Sequence, residues 1–304
     1  MEQVCIGVDV GGTNLRLALV GRDGTVLGRL SEATGGVSGC APFLARLVAA
    51  LERLKAEAEA GGRRVAAAGV GIPGLVSGGG TILSSVSFSA LEGVNLAREL
   101  SGCTGLPVLV QNDANACAVG EQRFGAGRRY RSWLMVTIGT GVGAGLVLDG
   151  KLWTGAEGVA GEFGHVTVDP DGRPCGCGNR GCLEQYASAT AIATGKGGSA
   201  AVARRAMLGD ADALARFEAA GRCLGLAAAG VLNLLNLEAI VLGGGGAESF
   251  ELLAPPMRRE IAARTLAVTA GGGRIEKGAL GVDAGVVGAA AAAFDTVPQE
   301  QLLR

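Results

Sequence analysis

Apolar and small residues alternate over positions 4–10 (VCIGVDV), the turn Gly11-Gly12-Thr13-Asn14 interrupts them, and a second apolar run (LRLALV) reaches Val20 before a GRDG turn and a third run over Val26 to Leu30. A side-chain period of two, bounded by Gly, Asp and Asn, belongs to half-buried strands joined by tight turns, so the chain opens with a three-stranded meander. The pattern returns at Trp133, where WLMVTIGTGVGAGLVLDGKLW reads as strand, Gly-Thr-Gly turn, strand, Asp-Gly-Lys turn and strand. Gly11-Gly12-Thr13 aligns with Gly139-Thr140-Gly141, and a duplicated unit of this kind predicts two similar domains facing one another across a cleft. Between the copies, helical periodicity covers 41–60 and 94–101, with strands at 64–70 and 107–111. After the second copy come helices from about 188 to 234, a strand at 238–242, a GGGG turn and a closing helix at 283–294. Strands alternating with helices define an α/β fold. The expected division is 1–112 and 113–289, with a C-terminal helix over about 290–304 packing back on the first domain.

Composition narrows the partners. At 304 residues the chain suits two cores better than one, and 48% hydrophobic residues exclude a disordered chain. The 54 glycines lack a three-residue period, which excludes collagen. Net charge is −1 and the basic residues are scattered apart from Arg128-Arg129-Tyr130-Arg131, so neither a nucleic acid nor an anionic membrane is expected and a small molecule is. Met1-Glu2-Gln3 leads directly into the first strand, so no signal peptide is expected. The apolar stretch from Gly225 to Leu242 contains Asn233, Asn236 and Glu238, the pattern of a buried helix and strand rather than a membrane span. Cys5, Cys40, Cys103, Cys117 and Cys223 are isolated and read as core residues of a reduced, cytoplasmic protein.

The glycine motifs carry unequal weight. GVGIPG at 69–74 has dinucleotide-site spacing, but Pro73 leads into LVSGGGTILS instead of a helix, and no G-x-x-x-x-G-K-[ST] occurs. The paired turns at Gly11-Gly12-Thr13 and Gly139-Thr140-Gly141 are either plain hairpins or phosphate cradles in which backbone N–H groups and Thr hydroxyls reach oxygen. Asp9, a carboxylate in an apolar strand just before the first turn, is either satisfied by that turn or holds the Mg²⁺ of a nucleotide. Asp113 stands where a strand meets a helix, the place α/β proteins put their chemistry. It is either a helix N-cap or a general base for a substrate hydroxyl attacking phosphorus.

The segment GEFGHVTVDPDGRPCGCGNRGCLEQ is the sharpest signal. His165, the chain's one histidine, and Cys175, Cys177 and Cys182 supply one imidazole and three thiols, a closed four-ligand set for structural Zn²⁺, whereas disulfide pairing would strand one thiol. Glu162 and Glu184 flank this loop, either as solvated residues or as fixed acceptors for a polyol.

Taken in order, DVGGTN, GVGIPG, VQNDANACAVGE, TIGTGVGAG, GVAGEFGH with CGCGNRGCLE, and IVLGGGG resemble the ROK family of sugar kinases and sugar-responsive repressors over nearly the whole chain. The resemblance implies an actin-like ATPase (duplicated ribonuclease H-like) fold, a homodimer, ATP with Mg²⁺ as phosphoryl donor, and a hexose acceptor. It implies Asp113 as catalytic base; Gly71, Asn112, Asp113, Glu162, His165 and Glu184 at the sugar; and zinc on His165, Cys175, Cys177 and Cys182. Nucleotide contacts would come from Asp9, Gly11, Gly12, Thr13, Asn14, Thr140, Gly141, Gly243, Gly244 and Gly245. Two positions depart from the pattern: Ser87-Phe88-Ser89 stands where family kinases often have Asn-x-Pro, and Asn14 where many have Lys. With only three residues before the first strand, no DNA-binding helix-turn-helix is expected. Glucose phosphorylation is the leading expectation, ahead of N-acetylmannosamine, allose or fructose phosphorylation or a non-catalytic sugar sensor.

Overall fold

The computed structural model describes residues 2–34, 39–193, 197–266 and 273–297. The expected meander forms from β1 (Glu2–Val10), β2 (Asn14–Val20) and β3 (Val26–Ala33). Helix α1 (Cys40–Ala60) then carries the chain to β4 (Arg63–Ile72), which pairs in parallel with β1 up to Asp9↔Gly71. A small antiparallel hairpin, β5 (Leu75–Val76) and β6 (Ile82–Ser84), precedes α2 (Leu96–Thr104). The strand β7 (Val108–Asn112) completes a sheet of order β3-β2-β1-β4-β7 and runs directly into α3 (Asp113–Phe124).

The second half repeats that plan. It comprises β8 (Trp133–Ile138), β9 (Val142–Leu148), β10 (Lys151–Trp153), the short helices α4 (Glu184–Ala187) and α5 (Ala189–Ile192), then α6 (Gly198–Met207) and α7 (Ala211–Leu235). These are followed by β11 (Ala239–Gly243), α8 (Phe250–Arg264), β12 (Arg274–Lys277) and α9 (Ala284–Phe294). The sheet order is β10-β9-β8-β11-β12, with β8, β11 and β12 parallel as β1, β4 and β7 are. The repeat read from two glycine turns is therefore a repeat of sheet topology.

The β5–β6 hairpin, α8 and β12 were absent from the sequence expectation. Pro255 and Pro256 stand inside α8, where each withholds an N–H from the helix ladder. Pro256 is buried because Gly221 of α7 has no side chain to exclude its ring. β12 is four residues long, and Ile275 is its one buried side chain. Helix α7 is long and apolar enough to cross a membrane, but Gly221 and Gly225 seat it tightly on α8 and its face from Ala213 to Leu232 belongs to a protein core.

Contacts divide the chain into one unit of residues up to Arg128, Leu152–Ala160 and Asp283 onward, and another of Arg129–Lys151 and Gly161–Val282. Helix α3, assigned from sequence to the second domain, is in the first unit because it packs on α9. The returning helix begins at Ala284 rather than near residue 290, and residues 298–304 lie outside the described residues.

Every residue of α9 (AGVVGAAAAAF) is buried, as a helix apolar on all sides must be. Its backbone lies directly on its neighbours: a methyl at Gly7 would fall on the Val286 carbonyl, one at Gly69 on that of Ala289, and one at Gly288 on that of Ala116 in α3. The Arg29–Asp283 and Arg123–Asp295 ion pairs hold its two ends. Because the Gly288 methyl would meet backbone, Gly288→Ala is expected to destabilise the protein by about 1–3 kcal/mol or more. Urea unfolding measures this, and a loss under about 0.5 kcal/mol would show that the helix can retreat from α3 at little cost.

Candidate functional site

In the first unit the expected residues gather at the carboxyl ends of the parallel strands β1, β4 and β7, where open α/β sheets bind ligands. Gly11 N–H donates to Asn14 O (2.9 Å), while Thr34 donates through its backbone to Thr13 O (2.8 Å) and through its hydroxyl to Gly11 O (2.6 Å). Gly12, Thr13 and Asn14 are left exposed on a closed turn. Thr34 carries no sequence signal for this role because it lies at the end of the meander, twenty positions beyond Asn14.

Asp9 faces Arg16 across the β1–β2 pairing at 3.8 Å. Burial raises its carboxyl above the usual range, and the Arg16 guanidinium offsets this in part. Helix α9 crowds it, since a methyl at Gly285 would lie 2.9 Å from Asp9 Cγ.

At the β7–α3 junction the cap belongs to Asn112. Its Oδ1 accepts from the N–H groups of Ala114 (2.9 Å) and Asn115 (3.1 Å), and its Nδ2 donates to Gly74 O (3.1 Å). Asp113 is the first residue of the helix, so the capping alternative for Asp113 gives way, although its Oδ1 also accepts from Ala114 N–H at 2.9 Å. Gly71 lets β4 approach this corner: a methyl there would lie 3.3 Å from Asp113 Cα. One turn further along α3, burial pushes the Cys117 thiol upward, and the negative charges of Asp9, Asp113 and Glu121 push it further. Asp9 pairs with Gly71 across β1 and β4, and Gly71 lies against Asp113, so the two candidate carboxylates flank one glycine. Ser87 and Ser89 are exposed, while Phe88 between them is buried against Phe43.

The second unit brings its glycine turns together. Gly244 (φ +71°) lies over the end of β8, where a methyl would meet Ile138 O at 2.7 Å, so the Gly243–Gly245 turn abuts Gly139-Thr140-Gly141. Helix α5 fastens that second turn, with Ala189 N–H donating to Gly139 O and Thr190 Oγ1 to Thr140 O, both at 2.8 Å. Glu184, at the start of α4, reaches the same place, its Oε2 accepting from Val142 N–H (2.9 Å).

Glu162 precedes a 3₁₀ turn, Phe163–His165, that turns His165 back so that Nε2 lies 3.7 Å from Glu162 Oε2. Burial raises the Glu162 carboxyl, His165 lowers it and the Glu184 charge raises it further. His165 Nδ1 lies 3.7 Å from Cys175 Sγ, and the Cys177 and Cys182 sulfurs are 3.6 Å apart. All four ligand atoms fall within 4.8 Å of one another. Tetrahedral Zn–S bonds of about 2.3 Å set ligand sulfurs about 3.8 Å apart, so the donor set and its spacing fit zinc. Burial pushes the Cys175 thiol up, but hydrogen bonds from Cys177, Cys182 and His165 bring it down to about 7, while burial and its thiol neighbours raise Cys182 to about 12.

The chain belongs to the ROK family, whose model matches residues 5–296. A glucokinase of Thermotoga maritima is 34% identical over 94% of this chain and 95% of its own length. A ROK family glucokinase from Streptomyces griseus, solved with glucose and AMPPNP, has a TM-score of 0.82 at 32% identity, covering 96% of this chain and 99% of that one. A ROK family transcriptional regulator, a homologue of the E. coli MLC protein, has a TM-score of 0.87 at 30% identity, covering 96% of this chain and 78% of that one. The duplicated α/β architecture is that of the actin-like ATPases, with two domains.

Asp9 yields a pH-dependent expectation. With its folded pKa raised above the ordinary 3.8, the ionised form costs the folded state free energy at pH 7. In magnesium-free buffer Asp9→Asn should therefore raise the melting temperature at pH 7. The advantage should shrink as pH falls through the raised pKa and vanish below 3.8. An unchanged or lower midpoint at pH 7 would mean that Arg16 compensates burial in full.

Proposed function

We propose that this protein transfers the γ-phosphoryl group of ATP to a hydroxyl of a hexose, with glucose first among the hexoses. The observation that carries the reading is the β7–α3 corner: Asn112 caps the helix and leaves Asp113 in its first turn, against Gly71, whose partner across the β1–β4 pairing is Asp9. Asp113 accepts the hydroxyl proton while that oxygen forms its bond to phosphorus; the bond from phosphorus to the ADP oxygen breaks, leaving hexose phosphate and ADP.

Backbone N–H groups at Gly12, Thr13 and Asn14, and at Thr140 and Gly141, cradle phosphate oxygens, Gly11 closes the first turn through its bond to Asn14 O and keeps it clear of a side chain, and Gly243, Gly244 and Gly245 flank the adenosine. Asp9 would hold Mg²⁺, which when bound neutralises phosphate charge. Hexose hydroxyls are read by Asn112, Asp113, Glu162, His165 and Glu184, and Gly71 keeps its corner free of a side chain. His165, Cys175, Cys177 and Cys182 would hold zinc, which supplies folding energy and fixes the loop. With Nδ1 turned to the thiols, the His165 proton belongs on Nε2, facing Glu162. Thiolate ligands and free cysteines suit a reducing cytoplasm, and sedimentation at micromolar concentration tests the homodimer.

The similarity to a transcriptional regulator supports a second reading, a sugar sensor without transfer, and one assay separates the two. ADP release is measured with Mg-ATP and a panel of glucose, N-acetylmannosamine, allose and fructose. Stimulation by none of them would defeat the kinase reading. Asp113→Asn should lower kcat by about 10²–10⁴ while leaving hexose KM within a few-fold, and a loss under tenfold would remove Asp113 as the base.

Metal removal supplies a further check. Chelation, or Cys177→Ser, should abolish hexose binding while ATP binding persists, as read by calorimetry with each ligand. Full hexose affinity in the metal-free protein would show that the cysteine loop does not organise the sugar residues.

A further inference from the structure

Two side-chain amides of the cysteine loop are aimed at sulfur. Gln185 Nε2 donates to Cys175 Sγ at 3.5 Å, and Asn179 Nδ2 donates both to Cys182 Sγ at 3.5 Å and to Thr167 Oγ1 at 2.9 Å. Their acceptors are the two buried thiols of the cluster, whereas Cys177 is exposed to water. A buried thiolate has lost its hydration, so an amide N–H replaces what solvent would supply. Gln185 is also fastened through its backbone: its carbonyl accepts from Arg173 Nη1 at 2.7 Å, and the Arg173 guanidinium lies 4.9 Å from the centre of the Tyr186 ring. Glu184 is its neighbour on α4, with its carboxylate held at the Gly139–Val142 turn.

We propose that Gln185 and Asn179 are positioning residues of the metal centre, their amides stabilising the two buried thiolates, and that Gln185 links Cys175 through α4 to the carboxylate of Glu184. This rests on the zinc reading, and wild-type zinc content tests that reading separately: protein purified without added metal must hold about one equivalent.

The test uses the full reduced chain. Gln185→Met keeps side-chain length and removes the donor, and Asn179→Ala makes the corresponding change at an exposed position. Competition with a chromophoric chelator should show zinc affinity about 10–100-fold weaker in Gln185→Met and weaker in the same direction in Asn179→Ala. In the cobalt-substituted proteins the thiolate-to-metal charge-transfer band should move to lower energy, because a thiolate without its N–H donor releases charge more easily. Hexose KM should rise in Gln185→Met with ATP KM unchanged. Affinities within twofold of wild type, or weakened affinity with an unmoved band, would overturn the role of the amides. An unchanged hexose KM in a Gln185→Met protein with a shifted band would overturn the link to Glu184. Should Gln185→Met fail to fold, the band and affinity of Asn179→Ala decide the role of the amides alone.

Discussion

Where α9 meets β1, β4 and α3, backbone lies against backbone, because Gly7, Gly69, Gly120 and Gly288 carry no side chains to hold the elements apart. Both candidate carboxylates of the first unit depend on that seat. Helix α3 presents Asp113 from its first turn and rests on α9 through Gly288, while Asp9 is crowded by Gly285 at the start of α9. A shift of this helix by the width of a methyl group would move the carboxylates proposed as base and as magnesium ligand together. Preorganisation of this kind, with reactive groups held by packing rather than by loops, is what positional catalysis demands.

The second unit reaches the same end differently. Its sheet is built on the same plan, but Glu162, His165 and Glu184 lie in a segment with little regular structure, from the 3₁₀ turn at Phe163 to the short α4. There the cluster of three thiols and one imidazole does what a helix seat does in the first unit. His165 connects the two functions in one ring, with Nδ1 toward Cys175 and Nε2 toward Glu162. A core of alanine and glycine backbones and a loop gathered around four potential metal ligands are two ways of holding the proposed sugar acceptors in place.

Much of this was legible from residue order. The meanders showed because strand periodicity and turn glycines are local, and the cysteine loop showed because ligand chemistry needs few residue types. The β7–α3 junction was located correctly, but the roles within it were not separable: Asn112 and Asp113 are both good caps, and only the observed bonds from Ala114 and Asn115 assign that task to Asn112. Helix α8 was hidden by Pro255 and Pro256, whose tolerance depends on a glycine in another helix, and β12 by its brevity and polarity. The membership of α3 in the first unit was hidden too, since it follows from contact with a helix some 160 residues later. Local chemistry is written locally, and packing partners are not.

The first unit is assembled from segments that flank most of the second, and its buried apolar helix follows the second unit in the sequence. During synthesis β1, β4 and α3 leave the ribosome early with their glycine faces uncovered, while the second unit can form around its own sheet before α9 emerges. The order of translation and the order of completion are therefore opposed: the unit begun first is finished last. A nascent chain stalled anywhere before residue 284 lacks the support for Asp9 and Asp113, so the carboxylates of the first unit take their places only after α9 has been made.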